Sequence, residues 1–247
     1  MAVPAGKFPS DRGTEHSYLV GLTLRACELA KTSAGNVADA LGSNSPAVYG
    51  TVDECEKELD ALDRELDERV CAALANTSEP ERRELLACIR FMTDLERIGD
   101  LISTFASGAR ILGRRMESRD IQDLIRMASV LEKMLGDAYK AFAGRDIDRA
   151  IAIFRADAEI DRLRNLMFVR HVENPEGEAH SESIQVLFMA QALERAGDHA
   201  KNLAEEVCHF VSGHTVRHVL RNSQKSYEQM FLQWLRERQP QKNGGGA

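Results

Sequence analysis

The sequence predicts an all-α fold, built as two tandem three-helix bundles related by internal duplication. Three observations carry that reading. Leu, Ala, Glu, Arg and Asp dominate, and only 6 prolines interrupt 247 residues, so the chain runs long between helix breakers. No stretch shows the strict apolar/polar alternation between turn residues that marks a strand. Acid-rich segments recur in the same order about a hundred residues apart, and a period of that kind signals a repeated structural unit.

Six long helices follow in order. The first runs near 12–41 and stops at Gly42-Ser43-Asn44; the second covers about 47–76. The third opens at Ser78, with Pro80 in its first turn and Glu81 three residues past the serine, a capping-box pattern, and continues to about 115. The fourth spans 118–143 and ends at Gly144. The fifth takes Asp146 as N-cap and stops before Asn174-Pro175, because proline disfavours the α conformation in the residue before it. The sixth runs from about Ser181 to Ser212-Gly213. Long helices with short connections pack as antiparallel neighbours, spectrin-repeat-like. The repeats are expected at 12–115 and 118–213. Residues 214–247 form a polar C-terminal tail expected to be partly disordered, with a stretch near 215–237 that is compatible with a short helix.

At 43% hydrophobic the chain can bury a sizeable core. A net charge of −7 argues against a nucleic-acid partner and is compatible with cation binding. The five cysteines, at 27, 55, 71, 88 and 208, are odd in number and form no C-x-x-C pair, which reads as reduced thiols in a reducing compartment. The N-terminal stretch has no apolar signal-peptide core, and the longest near-apolar run, 186–193, is far short of the ~18 residues a membrane span needs. A soluble, cytoplasmic protein is expected.

The segments with chemical content are four acid pairs at i,i+4: Glu56/Asp60, Glu96/Asp100, Asp157/Asp161 and Glu194/Asp198. Glu194 and Asp198 stand 98 residues after Glu96 and Asp100, and Asp157 and Asp161 stand 101 after Glu56 and Asp60. Each unit thus carries one pair on its second helix and one on its third. Like charges one turn apart cost about 0.2–0.5 kcal/mol. A mid-helix glycine costs about another 1 kcal/mol against alanine, yet Gly99 and Gly197 recur beside the third-helix pairs. On a helical wheel Phe91, Leu95, Ile98, Ile102 and Phe105 lie opposite Glu96 and Asp100. Met189, Leu193, Ala196, Ala200, Leu203 and Val207 lie opposite Glu194 and Asp198, so these pairs point away from the apolar stripe. Helix 5 is less tidy, with Phe154 and Phe168 near its acids. Helix 2 extends the acid stripe through Asp53, Glu56, Asp60, Asp63 and Asp67.

Two readings are open from the residues alone: solvated acidic faces, or carboxylates that converge between neighbouring helices and are neutralised by a cation. Carboxylate oxygens suit Mg, Ca, Mn or iron. On helix 6, Asn202, Glu205 and His209 fall on the side of Glu194 and Asp198. Glu206 and His209 form one Glu-x-x-His, half of the di-metal signature that bundle oxidases carry twice. His214 and His218 have metal-capable spacing but lie past the glycine stop and read as surface residues. No nucleophile elbow, P-loop or dinucleotide-binding glycine pattern is present.

"LERIGD" at 95–100, "ALERAGDHAKNLAEEV" at 192–207 and "FVSGHTVRH" at 210–218 resemble the doubled signature of the PhoU family of bacterial phosphate-transport regulators. The resemblance covers roughly 14–220. It departs from the usual pattern at Glu56, Thr104 and Ala196. It implies two three-helix bundles and metal ions, iron foremost with Zn, Mn, Mg or Ni as other candidates, held by E/D-x-x-x-D motifs. Carried residue by residue, the ligands are Glu56, Asp60, Glu96, Asp100, Asp157, Asp161, Glu194 and Asp198. It implies no enzymatic reaction. The expected role is negative regulation of phosphate uptake and of the phosphate-starvation response. The expected partners are a phosphate ABC transporter ATPase subunit, a sensor histidine kinase and a second copy in a homodimer, with membrane association only through those partners. The alternatives are a carboxylate-bridged di-metal redox protein in a helical bundle, or an accessory protein of another phosphate transporter.

Overall fold

In a computed structural model of the chain, residues 12–43, 48–75, 77–173 and 180–213 are described. They form six long helices and no strand: α1 (Arg12–Ser43), α2 (Val48–Leu74), α3 (Glu79–Leu112), α4 (Ser118–Gly144), α5 (Ile147–Phe168) and α6 (His180–Ser212). A single 3-10 turn, Gly113–Arg115, joins α3 to α4, and a π-helical turn, Val169–Glu173, extends α5. His214, His218 and the whole 214–247 tail lie outside the described residues.

The helix boundaries follow from local chemistry. At α3 the Glu81 carboxylate accepts from the backbone N–H of Ser78 at 2.7 Å and from its hydroxyl at 2.6 Å, which is the predicted box. Asp146 caps α5 by accepting from the Arg149 N–H at 3.1 Å. Gly144 is still helical. The left-handed turn after α4 falls one residue later, on Arg145 (φ 51°). A non-glycine residue tolerates that conformation only when other contacts hold it. Here the Arg145 guanidinium donates to Glu84 of α3 at 2.8 Å and lies over the Phe210 ring of α6. The π turn after α5 is pinned in the same way. Arg170 bridges Asp120 and Asp123 in the first turns of α4, and the His171 ring meets Asp120 at 3.0 Å and Ser183 of α6 at 3.1 Å.

Helices α1, α2 and α3 pack on one another, as do α4, α5 and α6. The halves then meet along two antiparallel seams, α1 against α4 and α3 against α6, which leaves α2 and α5 outermost. One continuous apolar core runs through all six helices. It includes Phe91 of α3, whose ring lies tilted with its centroid 4.5 Å from that of Phe142 of α4, which is 5.3 Å from Phe210 of α6. The apolar residues predicted to face inward from α3 and α6 are all buried. Both acid-bearing grooves, α2/α3 and α5/α6, therefore lie at opposite flanks of a closely packed four-helix centre. No described helix is long and apolar enough to cross a membrane.

Candidate metal-binding grooves

The recurring glycines set the depth of both grooves. A Cβ built on Gly99 of α3 would stand 2.9 Å from Leu59 Cδ1 of α2, and one on Gly197 of α6 would stand 3.2 Å from Ile160 Cδ1 of α5. Leu59 and Ile160 are repeat equivalents, 101 residues apart. In each half the glycine opens a socket for the same apolar knob, so the outer helix approaches closely and brings its acids beside those of the inner one.

In the α2/α3 groove, Glu56, Asp60 and Asp63 of α2 face Glu96 and Asp100 of α3. Burial pushes the Glu56 carboxyl above its ordinary range, and the charges of Asp60, Asp100 and Asp53 add to the effect. Burial likewise raises Glu96, reinforced by Asp100 and, across the groove, by Asp63 and Asp60. Asp63 is raised by burial and by Asp67 and Asp60. The cations beside these acids, Lys57, Arg64 and Arg97, are exposed, and Arg97 is loosely engaged, 3.5 Å from Glu96 and 3.7 Å from Asp100. Asp53, at the end of the stripe, is taken by Arg110 at 2.7 Å.

The α5/α6 groove holds the equivalent acids with different company. Asp157, on the helix whose acids fall near Phe154 and Phe168 on the wheel, is only 4% exposed. It turns inward because Gly197 leaves room: a Cβ there would be 3.1 Å from Asp157 Oδ1. The Lys201 ammonium lies 2.6 Å from Asp157 Oδ2 and 2.6 Å from Asp198 Oδ1, tying α5 to α6. Both carboxylates hold the Lys201 ammonium more firmly protonated than an ordinary lysine despite its partial burial. Asp157 Oδ1 is buried without a hydrogen-bond partner, and burial raises the Asp157 carboxyl against the opposing pull of Lys201. Glu194 accepts from the Gln191 amide, whose oxygen in turn takes Arg164 at 2.8 and 3.2 Å. Burial raises the Glu194 carboxyl, with Asp198 adding to the shift and Arg164 opposing it. Asp161 is half-buried beside both acids.

Each of the eight predicted ligands thus sits in one of two grooves. Among the described residues, however, no three His, Cys, Asp or Glu side chains converge into a ready coordination shell. Lys201 and Arg164 were not singled out in sequence, although Lys201 stands three residues after Asp198 and seven after Glu194, on the same helical face.

The other polar groups of α6 belong elsewhere. Asn202 donates to Asp94 of α3 at 3.0 Å, and His199 meets the same carboxylate at 2.7 Å. Glu206 is buried and held by Arg90 at 2.9 and 3.2 Å, with His209 beside them. Asn202 and His209 therefore lock the α3/α6 seam between the halves rather than extend the acid stripe, and the lone Glu-x-x-His has its glutamate committed to an arginine. The five cysteines are free thiols. Cys27, Cys88 and Cys208 are buried, and burial pushes their thiols up to about 12.

The PhoU domain family profile matches residues 23–108 and again 124–207, once per half. The chain belongs to the PhoU family. A "phosphate-specific transport system accessory protein PhoU homolog" from Pseudomonas aeruginosa is 31% identical over 199 residues, covering 77% of this chain and 81% of that one. "PhoU homolog 1" from Thermotoga maritima is 29% identical over 205 residues, covering 81% and 88%. The crystal structure of PhoU from Pseudomonas aeruginosa superposes with a TM-score of 0.74 at 27% identity, over 82% of this chain and 99% of that one. The Streptococcus pneumoniae PhoU structure shares the fold, with a TM-score of 0.75 at 21% identity.

Proposed function

We propose that this PhoU-family chain is a non-enzymatic negative regulator of phosphate uptake, an adaptor between a phosphate ABC transporter and a sensor histidine kinase. The observation that supports this most is the doubled PhoU match lying over both halves of six helices that share one apolar core. An adaptor of this kind needs exposed contact surface. Ile111 of α3 and Ile184 and Phe188 of α6 flank one end of the α3/α6 seam, each more than half exposed. The same surface suits a second copy in a homodimer.

The α2/α3 groove fits a hard or borderline cation, iron or another divalent ion, held by Glu56, Asp60, Glu96 and Asp100. What supports the fit is that the acids of two helices face each other there, with Glu56 and Glu96 raised by burial and by their acidic neighbours, and with the nearby cations Lys57, Arg64 and Arg97 all exposed. A bound ion would supply neutralisation and a cross-link between α2 and α3, and these side chains would move inward to meet it. The adaptor reading is tested by co-purification of the full chain with the ATPase subunit of a phosphate transporter, together with a phosphate-starvation reporter in cells lacking the protein. Constitutive reporter activity and specific capture of the subunit are expected. Normal repression without the protein, or no capture at any phosphate level, refutes it.

A further inference from the structure

The two grooves differ at equivalent positions. Where α6 carries Lys201, α3 carries Ser103, 98 residues earlier; where α5 carries Arg164, α2 carries Asp63, 101 earlier. Both changes act inside the grooves. Asp63 raises Glu96, whereas Arg164 lowers Glu194. In the first groove Glu56, Asp60, Asp63, Glu96 and Asp100 are opposed only by exposed cations, Lys57 and Arg64 of α2 and Arg97 of α3, whereas in the second the partly buried Lys201 and Arg164 lie among Asp157, Asp161, Glu194 and Asp198. Arg97 and its equivalent Arg195 are exposed in both halves and cancel from the comparison.

We propose that the α5/α6 groove carries its own counter-ion: the Lys201 ammonium occupies the place between Asp157 and Asp198 that a metal would take, so the chain loads divalent cations in the α2/α3 groove only. The geometry is that of a bridge. One nitrogen contacts an oxygen from each of two helices at 2.6 Å, and the α5 partner is nearly sealed from solvent. An ammonium offers three donors and no lone pair, so it satisfies carboxylates but cannot share a coordination shell. A divalent ion entering between these oxygens would have to expel it into a setting where Arg164 also repels the newcomer. The canonical expectation of two equivalent sites, one per repeat, does not fit this donor set.

This inference rests on the metal reading of the first groove, and equilibrium dialysis of the full chain against Mn2+ alone, read by elemental analysis, separates the two. Five results are expected. Asp198→Asn leaves Mn2+ bound per chain unchanged, while Asp100→Asn abolishes the tight binding. Lys201→Met adds roughly one further equivalent, and Asp198→Asn removes it in the Lys201→Met background. Ser103→Lys cuts binding at the first groove by at least about tenfold.

Loss of wild-type Mn2+ on Asp198→Asn, or a folded Lys201→Met protein that gains none, overturns the inference. If Lys201→Met unfolds, Asp198→Asn on the wild-type background still decides it. A wild-type chain that binds none while Lys201→Met binds one refutes the first-groove metal reading and leaves the lysine inference standing.

Discussion

The α2/α3 and α5/α6 grooves share a scaffold and differ in how they settle their charge. Both seat an apolar knob, Leu59 or Ile160, in a socket opened by a helix glycine. Both place i,i+4 acids from two helices side by side. In the first, carboxylates meet carboxylates, and burial with the neighbouring charges raises Glu56 and Glu96 above their ordinary range. In the second, a lysine is inserted between the acids and the deeper aspartate is drawn almost out of solvent. Duplication therefore preserved the packing, which depends on shape, more closely than the electrostatics. A single side chain in the groove between two helices changes its charge without disturbing the apolar core.

The comparison breaks most sharply at Lys201. Removing it strands Asp157, whose second oxygen already lacks a partner. Lys201→Met is expected to lower unfolding free energy in metal-free buffer by about 3 kcal/mol, the range for breaking a largely buried pair. Chemical denaturation measures it. Adding Asp157→Asn in the Lys201→Met background should recover part of the loss, since the two residues act as one unit. A loss below about 0.5 kcal/mol would mean the bridge behaves as a surface pair and the grooves are alike after all.

The shared part of the design gives the next effect. Gly99→Ala and Gly197→Ala each gain about 1 kcal/mol of helix propensity but force a methyl against Leu59 or against Ile160 and Asp157. Overpacking of that kind costs about 1–3 kcal/mol. Both variants should be destabilised by roughly 1 kcal/mol, and by similar amounts, because the knob is conserved between halves even where the charges are not. Stabilisation by either substitution would show that the socket is slack.

The sequence made the scaffold legible and the charge settlement only partly so. The box at Ser78 and Glu81, the cap at Asp146 and the buried face of Phe91, Leu95, Ile98, Ile102 and Phe105 are local or periodic signals, and each is found in place. The acid pairs could be placed on a wheel, but a wheel does not say which helix packs alongside. The burial of Asp157 is not legible on the helix 5 wheel because it depends on Gly197 of another helix. Asn202 and His209 were assigned to the wrong face because the α3/α6 seam is a contact between halves, and nothing within one helix encodes Asp94 or Arg90 as the partner. The left-handed Arg145 was hidden for the same reason: Gly144 was the expected turn residue, and the contacts that hold the arginine come from Glu84 and Phe210.

The smallest expected effect concerns acid. In the first groove the folded state raises Glu96 above its ordinary value of 4.5, chiefly by burial and then through Asp100. The native state therefore binds the proton more tightly than the unfolded chain, and the contribution of this group to stability is complete below the ordinary value and lost as pH rises through the raised one. At pH 7 the ionised Glu96 is therefore a net cost, a small one given its partial exposure. Glu96→Gln should thus stabilise the metal-free protein at pH 7, and the gain should shrink as pH is lowered through the raised value toward 4.5. Denaturant titrations of both proteins across that window measure the difference. Saturating Mn2+ should reverse the order at pH 7, because the wild-type carboxylate then has an ion to bind and the amide does not. A Glu96→Gln protein whose advantage is the same with and without Mn2+ would place Glu96 outside the first groove's ligand set and leave Glu56, Asp60 and Asp100 to hold the ion.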